Sequence, residues 1–278
     1  MTDRWDPDFA MRLPLFAPLR AAVPHRPLAG FPGCAELNAL AAAAGVPPRN
    51  AAGMPIRFVP QAPRRLAFED RYEPRIFLRG EVQVRADNWH DLFNALVWLT
   101  FPLAKSAINR RHYEALCAQH AAGAPNRGPQ QDALTLFDEG GVVVAAADPE
   151  LAALLRNHAW KQLFWQQRAK TGAAMGFFLF GHALYEKALQ PYAGVTGRGV
   201  ILGCTAEFFA RPLAAQLAEL DGRLAGLLAD AGCLAATGDL VSVPILGVPG
   251  WWPENETESY YDDTAYFRPL PLRPRDRR

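Results

Sequence analysis

Lysine is scarce in this chain, cysteine is sparse and scattered, and no apolar run approaches membrane length. Each shortage excludes something. Lys105, Lys161, Lys170 and Lys187 are the only lysines, so arginine carries nearly all the positive charge. With abundant Ala and Pro, this matches the coding bias of a GC-rich bacterial genome and does not signal arginine chosen for phosphate. A net charge of +1 removes any bulk electrostatic case for nucleic acid or an anionic membrane. Cys34, Cys117, Cys204 and Cys233 contain no CxxC pair, so neither a zinc-ribbon spacing nor a disulfide framework is present. The opening Met1-Thr2-Asp3-Arg4-Trp5-Asp6 lacks a basic stretch followed by an apolar one, which makes the cytoplasm the expected location. Ala173–Phe180 is the most membrane-like stretch, but Gly181-His182 ends it far short of the roughly 20 residues a bilayer core needs. The GxSxG elbow, the GxxxxGK[ST] phosphate loop, HExxH and the Rossmann glycine fingerprint are all missing.

Half of the 278 residues are hydrophobic and 21% are charged, which is globular material long enough for a large core. Residues 1–70 are rich in Pro, Ala and Arg and read as an arm wrapping the core, with one helix around Ala35–Ala44. Tyr72–Arg85 reads as a short extended unit or hairpin, because Val82-Gln83-Val84-Arg85 alternates after Arg79-Gly80. A helix with Asp87 or Asn88 as its cap then stops at Phe101-Pro102, and a second runs from Leu103 to about His120. Ala133–Phe137 and Val142–Ala145 flank Asp138-Glu139-Gly140-Gly141 and predict a hairpin. Asp148-Pro149-Glu150 opens a helix expected to reach about Lys170. Gly181–Leu189 and Pro212–Ala231 are further helices, and Val200-Ile201-Leu202 is a strand. The expected class is α+β: a mainly helical single domain over 71–268 with a small antiparallel sheet or hairpins, and an exposed basic tail at 269–278.

Asn88-Trp89-His90-Asp91-Leu92-Phe93-Asn94 sets polar, ligating side chains inside a strongly apolar helix. Left unpartnered, each such buried group costs roughly 1–3 kcal/mol. The run therefore marks a satisfied network or a site. His90 and Asn94 share one helix face with Asp91 at its edge, and Lys105, Asn109 and His112 make a second polar stripe on the next helix. Antiparallel packing across the short connection would bring the stripes face to face, with His90, Asp91 and His112 as the nucleus of a two-His, one-carboxylate site. Zinc, iron or manganese is the divalent cofactor such a set would take, activating water for hydrolysis. Asn94, Lys105 and Asp138 would then orient substrate or stabilise charge. His182 and Glu186, four apart on a helix, are candidates for substrate contact, together with Trp89, Asn109 and the aromatic Trp251.

Several motifs taken together carry a family resemblance: Tyr72-Glu73-x-Arg75-Ile76, Asn88 to Trp98, Phe101-Pro102-x-x-Lys105-x-x-x-Asn109, Leu136-Phe137-Asp138-Glu139-x-Gly141, Gly181-His182-Ala183-Leu184-x-Glu186-Lys187 and Gly247-Val248-Pro249-Gly250-Trp251. On these the chain resembles the proteobacterial domain-of-unknown-function family numbered three-zero-two-five, over roughly Arg71 to Arg268. The resemblance implies one unit and brings no activity, cofactor or catalytic residue. Two readings stand: a cytoplasmic enzyme with a small-molecule pocket, metal-dependent and hydrolytic, or a non-catalytic binding or assembly protein whose polar stripe sets helix register. Neither substrate nor oligomeric state is legible.

Overall fold

The computed structural model describes residues 4–23, 29–62, 67–123 and 127–270. The first described segment packs firmly. Helix α1 (Phe9–Arg12) and a 3-10 stretch, Pro14–Ala22, bury Phe9, Leu15, Phe16 and Leu19. Phe16 stacks on both Phe93 and Tyr185, so this segment contributes to the central core. After α2 (Cys34–Ala43), Asn38 clasps strand β1 (Arg57–Pro60): its Nδ2 donates to Phe58 O at 2.9 Å and its Oδ1 accepts from Phe58 N at 2.8 Å.

Tyr72–Arg85 is a helix followed by a strand, which corrects the expected hairpin. Helix α3 (Tyr72–Arg79) buries Pro74 and Ile76 and ends at Gly80, whose φ of 69° is left-handed. A side chain at Gly80 would put Cβ 2.2 Å from Pro55 O, so only glycine fits that turn. Strand β2 (Glu81–Val84) then pairs in parallel with β1, with Arg57 opposite Glu81. Alternation in residues 82–85 correctly marked a strand, but its partner comes from upstream of α3.

Helix α4 (Trp89–Thr100) begins where the Asn88 side chain accepts from Asp91 N at 3.0 Å, and Pro102 opens α5 (Pro102–Ala122) after Phe101. The hairpin expected at residues 133–145 is likewise a helix and a strand. Pro129 and Gln131 start α6 (Pro129–Gly140), with Gln131 Oε1 accepting from Gly128 N. Its buried residues, Gln131, Ala133, Leu134 and Phe137, follow helical spacing, and this outweighed the β-prone look of Leu134-Thr135-Leu136-Phe137. Asp138 and Glu139 thus sit in a helical last turn. Strand β3 (Gly141–Ala146) follows, buried on both faces, which explains its unbroken apolar run.

The long helix expected to reach Lys170 is interrupted. Helix α7 (Pro149–Arg156) ends at Asn157, His158 adopts φ 55°, a π-helical turn covers Gln162–Gln166, and α8 (Arg168–Ala174) completes the stretch. Tertiary bonds hold the break: Trp160 Nε1 donates to Arg268 O at 2.8 Å, and Thr171 Oγ1 donates to Leu163 O at 2.7 Å. Strand β4 (Met175–Leu179), α9 (His182–Ala188), β5 (Thr196–Gly203), α10 (Leu213–Ala229) and β6 (Val241–Pro244) follow. The main sheet has the order β4-β3-β5-β6, with β3 antiparallel to β4 and parallel to β5, and β6 antiparallel to β5. Helix α10 packs along α5, and its Asp221 carboxylate accepts from Leu103 N and Ala104 N, capping α5 from another element.

The molecule is a mainly helical α+β fold, as its patterning indicated. No helix among the described residues is long and apolar enough to cross a membrane. The basic tail lies outside the described residues from 271 onward, as does His25 of the arm.

Candidate functional site

Helices α3, α4, α5, α6 and α9 enclose a cavity of about 430 Å³ open to solvent, and its wall is dense in titratable groups. The two stripes do meet. The α4–α5 connection folds Lys105 back so that its Nζ donates to Asn94 Oδ1 at 2.9 Å. The same ammonium donates to both oxygens of Asp138 on α6, at 2.6 and 2.8 Å, and all three of its protons are used. Asn94 passes the connection to the cavity wall through Nδ2, which donates to Tyr72 OH at 2.7 Å.

Helix α9 supplies the second half. Gly181 precedes it, and a Cβ there would lie 2.4 Å from both Glu139 O and Gly141 N, so α9 starts in backbone contact with the end of α6. That contact seats His182 beside Asp138, with Nδ1 3.7 Å from Oδ2. His182 Nε2 is 3.1 Å from His90 Nε2, the rings are nearly perpendicular, and His90 Nδ1 lies 3.0 Å from Glu186 Oε2. The chain Glu186, His90, His182, Asp138, Lys105 therefore joins four helices, α4, α5, α6 and α9, through charged or titratable groups.

Hydrogen counting constrains this chain. Glu186 is an acceptor, so His90 Nδ1 carries a hydrogen. With both rings neutral, His182 Nε2–H donates to His90 Nε2, and His182 Nδ1 is left as a bare acceptor turned toward a carboxylate. That atom is buried without a hydrogen-bond partner among the described residues. Burial, the Lys105 charge and His90 outweigh the pull of Asp138 and hold His182 down to about 4, so a proton taken up at neutral pH does not rest there.

Burial pushes Asp138 up, but Lys105 and His182 more than offset it and leave its carboxyl below the usual range. Across the cavity Glu73 goes the other way: burial raises it, against the opposing pull of His112 and the 2.7 Å hydrogen bond from Asn109 Nδ2. Tyr72 is raised well above an ordinary phenol by burial of its hydroxyl end and then by Glu73 and Asp138. Two carboxylates on one cavity are thus shifted in opposite directions by their surroundings.

Of the expected residues, His90, Asp91, Asn94, His112, Asp138 and His182 line the cavity, Lys105 and Asn109 stand behind it, and Glu186 orients His90. Trp89 does not belong to it: the ring is buried against Trp5, Phe31 and Phe93. Trp251 sits elsewhere, edge-on to Phe177. The set His90, Asp91 and His112 is not assembled as metal ligands. Asp91 spends both oxygens on Arg85, accepting from its backbone N, its Nε and a terminal nitrogen at 2.8 Å each. Among the described residues no three His, Cys, Asp or Glu side chains come together to hold a metal ion, so the donor set does not fit the proposed zinc, iron or manganese centre. Sequence reasoning missed Glu73 and Thr135 as wall residues because their helices were read as extended, whereas Glu139, expected in a turn as a supporting carboxylate, lines the cavity from the end of α6. The acid in the first turn after Arg71 was the available signal for Glu73.

A family model described as a protein of unknown function (DUF3025) matches residues 56–271. The chain belongs to that family. The match starts before β1, so the parallel strand pair lies inside it. No curated protein and no solved structure matches the chain.

Proposed function

We propose that this family member is an enzyme acting on a small polar molecule in the 430 Å³ cavity, with His90 and His182 as an acid–base pair. The 3.1 Å contact between their Nε2 atoms carries the reading. Substrate binding would part these two nitrogens, and a hydroxyl held between the separated rings would meet one that accepts its proton and another that donates, an arrangement suited to hydrolysis. Glu186 orients His90 and compensates the charge it gains. Asp138, held by Lys105, lies against the other edge of His182, 3.7 Å from its Nδ1. His112 and Glu73, on the far wall, are placed to bind the rest of the substrate.

The test is a screen of carboxylic esters, amides and phosphate esters against the parent, His90→Gln and His182→Gln proteins, each confirmed folded by circular dichroism. One class is expected to be turned over, with each variant slower by at least about 100-fold. Turnover that survives both substitutions, or no turnover of any class, would overturn the proposal.

A further inference from the structure

A second cavity, of about 320 Å³, lies where α9, the start of β5, β6 and the C-terminal segment meet. It shares no residue with the acid–base cavity, although α9 serves both: His182 lines one and Lys187 the other. Its wall carries Lys187, Arg198 and Arg268 and no aspartate or glutamate. Such an imbalance is unusual in this molecule. Lys105 pairs with Asp138, Lys161 with Glu258 and Asp262, and Lys170 with Asp148 and Glu150, whereas Lys187 makes no ion pair among the described residues. The guanidinium of Arg198, half-buried on β5, makes neither an ion pair nor a hydrogen bond among them. A guanidinium partly withdrawn from water with no acceptor is costly, and three cations around one cavity repel one another. A bound anion relieves both costs.

The wall is also rigid and partly aromatic. His158 stacks on Trp160 with ring centroids 4.6 Å apart, and the backbone carbonyl of Arg268 accepts from both rings, at 3.2 and 2.8 Å. These bonds pin the Arg268 backbone, while its Nε donates to Ala265 O at 3.1 Å. Tyr192 stands 56% exposed at the rim, a large flat ring open to solvent over much of its surface.

We propose that this cavity binds a phosphate monoester of a ring-bearing small molecule, of mononucleotide size. Three unneutralised cations match a dianion better than a single carboxylate, two of them being arginine forks suited to phosphate oxygens. The aromatic rim supplies contact for the ring. The site is independent of the acid–base cavity and stands whether or not that reading does.

Isothermal titration calorimetry at low ionic strength tests it with three probes: AMP, adenosine and inorganic phosphate. AMP is expected to bind saturably, inorganic phosphate more weakly and adenosine not at all. Affinity for AMP should fall at least about tenfold in each of Lys187→Ala and Arg198→Ala. Lys187 is exposed, so its substitution keeps the test valid if the Arg198 variant fails to fold. The proposal is overturned if neither AMP nor phosphate saturates by about 10 mM, a very weak affinity. Binding of AMP that is indifferent to both substitutions, or equally tight binding of adenosine, also overturns it.

Discussion

Replacing Lys105 by Met keeps an unbranched apolar stem of similar length and removes the ammonium, which lies over the Trp98 ring 5.6 Å from its centroid. That ammonium is nearly inaccessible, with a side-chain exposure of 4% against 17% for Asp138. Deleting one partner of a buried pair typically costs 3–5 kcal/mol because the other charge is stranded. Asp138 retains some water and a nearby imidazole, so we expect about 3 kcal/mol, the lower end of that range. For a chain of this length that lowers Tm by about 6 °C. The pH dependence sharpens the test. In the parent, Asp138 lies below the ordinary aspartate value of 3.8, so its contribution is present above that value and is lost as pH falls through the depressed one. In the variant the largest depressing charge is gone and burial outweighs what the neighbouring histidines supply, so ionised Asp138 is a burden at neutral pH that protonation removes. The stability gap between the two proteins should therefore be widest near pH 7 and narrow toward pH 4. Urea denaturation followed by tryptophan fluorescence at both pH values measures it. A gap under about 1 kcal/mol at pH 7, or one that does not narrow, refutes the reasoning. Lys105→Met with Asp138→Leu should recover most of the loss, since a well-packed apolar pair replaces such an ion pair at little cost.

Gly181→Ala should cost about 1–3 kcal/mol by forcing Cβ against backbone atoms, and it should displace His182, readable as a changed imidazole shift in the NMR spectrum. Asp221 is pushed up to about 6 by burial, against the hydrogen bonds from Leu103 N and Ala104 N. Its raised value means the associated stability is present below the unfolded value and lost as pH rises through about 6, a loss of about 3 kcal/mol. Asp221→Asn, which cannot ionise, should therefore lose less stability than the parent between pH 4 and 7 in parallel denaturation series. Because no three ligating side chains converge among the described residues, dialysis against EDTA should leave Tm unchanged, with zinc, iron and manganese well below one per chain. Stoichiometric metal that is lost in His90→Ala would reverse that conclusion.

Much of the helical framework was legible because local signals agreed with the final packing. Asn88 at a cap, Pro102 and Pro149 at first helical positions, and the leucine spacing of residues 213–229 each mark an element that formed where expected. Misreadings clustered where a segment carries two compatible patterns. Residues 129–140 combine β-prone side chains with helix-start chemistry, and burial of Gln131, Ala133, Leu134 and Phe137 against neighbours decided for the helix. In residues 149–174 the apolar period is sound, yet the C-terminal segment accepts hydrogen bonds from His158 and Trp160 and holds the chain in a break that no local propensity specifies.

The candidate site divides in the same way. By itself the sequence determined that two polar stripes lie on adjacent helices, since spacings of three and four on an α-helix fix which side chains share a face. It also determined that so many polar groups among apolar neighbours must find partners. Only the tertiary structure decided which partners they found. Asp91 turned to Arg85, Lys105 to Asp138, and His90 to a helix nearly a hundred residues further along the chain. Those choices depend on how helices cross and on backbone contacts such as Gly181 against Glu139 and Gly141, which are set by the packing of the whole core and leave no period or motif in the sequence.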